Sequence, residues 1–182
     1  MNTETVRELV VAALKGKTGA QERVYSPRDW PTHEEMYPAI LVQTPHEEKK
    51  SLGNAAPEFT VTTTVQISVR AQQFDGEEND GAMQAMAELE ALCGEVEKAV
   101  INSYDLTRQI QQFSAVRSTV GLDASGEGHM AMLVMELDIE YYQGPEDFYL
   151  TELTDLNEID VTIAMPDGTT QPVTHTDLTG RS

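Results

Sequence analysis

The segment His33-Glu34-Glu35-Met36-Tyr37 opens like the helix of a zinc protease, where two imidazoles one turn apart grip the metal and a Glu between them activates water. The second imidazole is missing. Tyr37 stands four residues after His33, so a single histidine on a solvated loop is the simpler reading. The run Asp75-Gly76-Glu77-Glu78-Asn79-Asp80 starts like a calcium loop, but its sixth position is Asp80 where the sharp turn wants Gly. Its twelfth is Met86 where the ion needs a bidentate Glu. Acids gathered ahead of a helix, where the dipole favours them, account for this run without a metal. The only cysteine, Cys93, lies on an apolar helical stripe, and a buried thiol is ordinarily inert. His46, His129 and His175 fall on separate segments, a loop, a strand entry and the tail, with no Ser or Cys partner whose proximity could be argued. No catalytic residue, cofactor site or metal site is therefore assigned, and the chain reads as a non-enzyme.

The elements that would position any site are regular. Val6, Leu9, Val10, Ala13 and Leu14 mark the buried stripe of a first helix. Thr3 or Thr5 is expected to cap it, Thr5 with Glu8 having capping-box spacing, and Gly16 to end it. The Pro-bearing stretch from Val24 to Pro31 cannot continue as helix. Tyr37-Pro38-Ala39-Ile40-Leu41-Val42-Gln43 reads as a strand led by a proline at its permitted first position. Thr44 to Glu58 reads as a long polar loop, and Phe59 to Arg70 as a strand of strict alternation. Phe59, Val61, Val65, Ile67 and Val69 share one face with Thr63, while Thr60, Thr62, Thr64, Gln66, Ser68 and Arg70 form the other. A second helix carries Ala82, Met86, Leu89, Cys93, Val96 and Val100. Gln112 to Val120 and Met130 to Tyr142 supply two further strands, the latter with Leu133, Met135, Leu137, Ile139 and Tyr141 on one face and Glu136, Asp138 and Glu140 on the other. Met83, Met86, Met130, Met132 and Met135 are read as core filler.

The expected fold class is α+β: a mostly antiparallel sheet of about four strands flanked by two helices, with a β-rich C-terminal appendage. Residues 1–143 are expected to form the domain and residues 144–182 the acidic appendage, where Ile159, Val161 and Ile163 alternate before the turn signal Met165-Pro166-Asp167-Gly168 and Val173 follows, so a small β-hairpin is expected.

Charge narrows the partners. The 182 residues carry a formal net charge of -19, 40% hydrophobic content and 24% charged content. Residues 75–182 hold 22 acidic and 4 basic side chains against 9 and 8 in residues 1–74, so clustered cations for phosphate binding are lacking. Anionic membrane surfaces are disfavoured for the same reason. The opening residues show no signal-peptide pattern, no apolar run approaches a membrane span, and one cysteine points to a reducing compartment such as a cytoplasm.

The order helix, Pro-rich link, strand, long loop, long strand, helix, strand pair resembles that of the tail-terminator proteins of long-tailed bacteriophages, of the lambda type. The residues that carry the resemblance are the helix exit Lys17-Thr18-Gly19-Ala20, the strand start Tyr37-Pro38-Ala39-Ile40, the Phe59 to Arg70 strand with the helix after it, and the closing Met130 to Tyr142 strand. Residues 144–182 fall outside it. The resemblance implies a subunit of a homohexameric ring in the virion, at the head-proximal end of the tail, put together in the host cytoplasm. Such a ring caps the tail-tube protein, stops tube growth and offers its other face to a head–tail connector or neck protein. DNA passes through the lumen without specific binding. A tail-tube or head–tail connector protein of related fold is the alternative reading within the same class. An acidic cytosolic enzyme or ligand-binding module, with site residues that converge only in the fold, is the alternative from another class.

Candidate contact residues follow from chemistry that is rare in this chain. Lys49 and Lys50 are a basic pair in an acidic molecule, flanked by Ser51 and Leu52 at the expected hairpin tip. Arg28 and Trp30 form a second candidate contact, since Trp concentrates at interface centres. Thr60, Thr62 and Thr64, with Glu136, Asp138 and Glu140, are candidates for a face lining a lumen or meeting a neighbour.

Overall fold

A computed structural model describes residues 1–27, 36–53, 57–73, 81–123, 129–149, 158–165 and 170–177. The chain divides into two units, Met1–Phe148 and Tyr149–Ser182. The boundary expected at residue 144 falls after Phe148 instead. A 3-10 turn, Pro145–Phe148, follows the last strand of the first unit, and the Phe148 ring meets Phe59 edge-on at 5.5 Å. The edge-to-face aromatic contact thus ties these residues to the sheet.

The first unit is an α+β layer structure. Helix α1 (Thr3–Leu14) precedes β1 (Val24–Tyr25), β2 (Ala39–Ser51) and β3 (Phe59–Gln73). Helices α2 (Gly81–Ile101) and α3 (Tyr104–Thr107) then lead to β4 (Gln112–Asp123) and β5 (His129–Gln143). The sheet order is β1-β2-β3-β5-β4, antiparallel throughout except for the short parallel pairing of β1 with β2. The two-residue β1 and one-turn α3 are too short to leave a periodic signal in sequence.

Helices α1 and α2 cover one face. Val6, Val10 and Leu14 of α1 are fully buried and belong to one hydrophobic core with strand residues that include Ile40, Val42, Val61, Val65, Leu133 and Leu137. Burying each such aliphatic side chain contributes about 1.5–3 kcal/mol relative to exposure. Helix α2 turns Ala85, Leu89, Leu92, Val96 and Val100 inward, while Met86 and Cys93 flank this stripe, partly buried. Helix α1 starts one residue before the expected caps: the Asn2 side chain accepts the Thr5 N–H at 2.8 Å. Its end is as expected. Gly16 takes φ +66, the left-handed conformation that a glycine adopts without strain.

The long loop expected from Thr44 to Glu58 is mostly strand. β2 runs to Ser51, paired from His46↔Thr64 to Ser51↔Phe59, with a register shift between Gln43 and His46. Only residues 52–58 remain to connect the hairpin. The shift exchanges the faces: Ile40 and Val42 point to the core before it, whereas Glu47 and Lys49 occupy the helix side after it. Pro45 fits here because β1 pairs only with Ile40 and Leu41, leaving this stretch an edge. Of the methionines read as core filler, Met135 is buried, but Met83 and Met132 are exposed.

In the second unit, β6 (Glu158–Ala164) and β7 (Thr170–Asp177) form the expected antiparallel hairpin. Residues 166–169 at its turn lie outside the described residues.

Candidate functional site

The two ladders read from sequence lie side by side. Thr62 is opposite Glu140, Thr64 opposite Asp138, and Gln66 opposite Glu136, so β3 and β5 share one polar face away from the helices. Thr60 neighbours Tyr142 on that face. Outward from these strands, Gln43, His46, Glu48 and Lys50 of β2 continue it on one side, and Gln112, Ala115, Arg117 and Thr119 of β4 on the other. Strand alternation alone produces this continuity, because register fixes which residues share a face.

Hydrogen bonds across the strands hold its side chains. Thr64 Oγ1 donates to Asp138 Oδ1 at 2.7 Å and Arg117 Nη2 to Asp138 Oδ2 at 2.8 Å. Arg117 Nε lies 3.5 Å from Glu136 Oε2, and Gln112 Nε2 donates to Glu140 Oε2 at 2.7 Å. Burial works against the ionised form of Asp138, but the Thr64 hydroxyl and the Arg117 guanidinium outweigh it and hold its carboxyl below the ordinary range. Along the centre of the face Glu48, Glu136, Asp138 and Glu140 are set against Lys50, Arg70 and Arg117, and Asp123 at the end of β4 adds one further acid, so most but not all of its acids are offset.

No family model matches the chain, and no curated protein matches it.

The lysine pair divides between the two faces. Lys49 Nζ lies 3.2 Å from Glu47 Oε1, donates to Gln143 Oε1 at 2.8 Å and sits 5.5 Å over the Phe148 ring. Lys50 is more exposed and lies 3.8 Å from Glu48 on the open face. Ser51 closes a local turn, its hydroxyl donating to the Gly53 carbonyl at 2.9 Å, and Leu52 is exposed. Arg28 and Trp30 lie outside the described residues, as do His33 and the whole run from Asp75 to Asp80. Among the described residues, no three His, Cys, Asp or Glu side chains are grouped to hold a metal ion, and no helix is long and apolar enough to cross a membrane.

Sequence reasoning missed a polar cluster on the helix side. Tyr141 OH donates to Glu47 Oε2 at 3.3 Å and lies 3.3 Å from Thr63 Oγ1, while the Thr3 hydroxyl also donates to Glu47. Thr63 and Tyr141 are both fully buried. Desolvation opposes the Glu47 carboxylate, yet the Thr3, Lys49 and Tyr141 donors bring its pKa below the ordinary range. The available signal was that Thr63 and Tyr141 each interrupt an otherwise aliphatic face.

At the other end of the unit, a pocket of about 350 Å³ is lined by Lys17, Glu95, Lys98, Ala99 and Asn102. Glu95 Oε2 accepts the Gly19 N–H at 2.7 Å, fixing the loop after α1 onto α2. Burial and the neighbouring Glu97 charge push the Cys93 thiol up, against a hydrogen bond with Ser118, which favours an unreactive thiol.

Proposed function

We propose that the chain is a ring-forming structural subunit of the bacteriophage tail-terminator kind, capping a tail tube and presenting a platform for head–tail joining. It acts by contact and stoichiometry, without turnover. The open ladder face carries this reading. Long mobile side chains lose rotamer freedom on docking, whereas short Thr and Ser side chains lose little, and the acids here are already held by cross-strand bonds. A pre-ordered face of short hydroxyl side chains and paired charges suits repeated contact with a neighbour or a tube layer better than it suits a DNA-facing wall. The order α1, β2, β3, α2, β4, β5 matches the helix and strand order on which the resemblance rests, while the long loop between its first two strands is here mostly strand. The acidity of residues 75–182 fits a protein that stands near DNA without holding it.

The protein so read resides in the virion, at the head-proximal end of the tail, after assembly in the host cytoplasm. Electron microscopy of the purified chain tests it. Closed rings of uniform size are expected; filaments would transfer the reading to a tail-tube protein, and a monomer at every concentration would overturn it. The ligand-binding alternative draws on the pocket where Lys17 and Lys98 converge, although Glu95, engaged with the Gly19 backbone, places a carboxylate in the same lining.

A further inference from the structure

The two long outer strands of the sheet are treated differently. The outer edge of β2 is guarded from Gln43 onward by a register shift, by Pro45, which has no N–H to offer, and by Glu47, Glu48, Lys49 and Lys50 in succession. The outer edge of β4 has no such protection. Among the described residues β4 pairs only with β5, its irregularity is confined to Phe113/Ala115, and Arg117 is the one charge between Val116 and Gly121. Val116 and Val120 stand on the helix side opposite buried Leu137 and Leu133, yet remain 41% and 46% exposed.

We propose that β4 pairs antiparallel with β4 of a second copy, with Ser118 on the two-fold axis. The sequence Val116-Arg117-Ser118-Thr119-Val120 fits itself in that register. Each Val116 faces the other copy's Val120, each Arg117 faces the other's Thr119, and apolar and polar faces coincide. Centring on Arg117 sets two like charges opposite each other, and centring on Thr119 sets Val120 against Ser118. Only the Ser118 register pairs both exposed valines of each copy with valines of the other. Charge favours the same edge. In a chain of net -19, Arg117 lies against Glu136 and Asp138 here, so this is a place where two acidic molecules repel each other weakly. A two-fold contact closes on two copies and cannot by itself propagate a ring. The pair therefore describes the free protein, its open edge covered, and does not depend on the ring reading.

Exchange of charge across the axis tests the register. Val116→Lys and Val120→Glu should each weaken pairing by about tenfold or more, seen as a shift to monomer in sedimentation equilibrium. Their equimolar mixture should recover the dimer, because the lysine introduced in one variant then faces the glutamate introduced in the other, while the unaltered Val120 of the first faces the unaltered Val116 of the second. A wild type that stays monomeric at about 100 μM, single variants that pair like wild type, or a mixture that recovers nothing would each overturn the proposal. Amide exchange of the unaltered protein gives a second readout, with protection in β4 rising with concentration if the edge pairs and unchanged if it does not. Rings that form unaltered from Val116→Lys while the two-copy species disappears would support the pairing and leave the ring reading standing.

Discussion

Thr63 sits on the apolar face of β3 with its side chain fully buried, and its hydroxyl is satisfied by Tyr141 on the neighbouring strand. Tyr141 in turn donates to Glu47, whose other oxygen faces Lys49. A chain of this kind stabilises only when every member is paired, since one orphaned hydroxyl in the core costs more than the bond it had made. Tyr141→Phe should therefore lower stability by about 1–3 kcal/mol. Adding Thr63→Val should return part of that loss, because the two polar groups facing each other are then both apolar. Urea unfolding of the two single variants and the double variant measures the coupling, and strictly additive effects would sink the account. The alternation of β3 placed Thr63 on the buried side from sequence alone. Its partner was not legible, because pairing Thr63 with Tyr141, or either with Glu47, requires the register of three strands.

At the scale of elements, α1 depends on a side chain that the sequence pattern did not select. Asn2 Oδ1 accepts both the N–H and the hydroxyl of Thr5, each at 2.8 Å, and so occupies the cap. Asn2→Ala should cost about 1 kcal/mol of stability, and Thr5→Val less, since the Thr5 backbone bond to Asn2 survives. Equal losses in thermal unfolding would show that the hydroxyl and not the cap matters. The Thr5-Glu8 spacing misled because a capping box is defined by residue type, whereas the actual start depends on which residue leaves helical geometry first. In β3 and β5 both the strands and their faces were legible, for Val61, Val65, Ile67 and Val69 alternate with polar residues and meet Tyr141, Leu137, Met135 and Leu133 in register. In β2 they were not. The register shift after Gln43 exchanges the faces, so Glu47 and Lys49 extend a strand whose apolar half ends at Val42, and an average over the segment reads as loop. The ladder face was legible residue by residue, but Arg117 and Gln112 joined it only through the pairing of β4 with β5.

At the scale of the whole molecule, charge sets the conditions for any assembly. Each chain carries -19, so a ring of six would carry 6 × -19, a formal charge of -114. Closing such a ring brings acids together faster than the few lysines and arginines can offset them, so repulsion opposes closure even when the contact faces fit. Salt shortens the reach of that repulsion, from about 30 Å at 0.01 M to about 10 Å at 0.1 M. Sedimentation velocity should therefore show the ring fraction rising from low salt to moderate salt. The cation that brings this about distinguishes screening from a bound ion. Magnesium and sodium compared at equal ionic strength should act similarly if screening is the cause, whereas a large magnesium advantage would require a site that no group of described side chains provides. Rings as abundant in low-salt, cation-free buffer as in magnesium would defeat the electrostatic argument, because the ladder contacts would then outweigh the repulsion unaided.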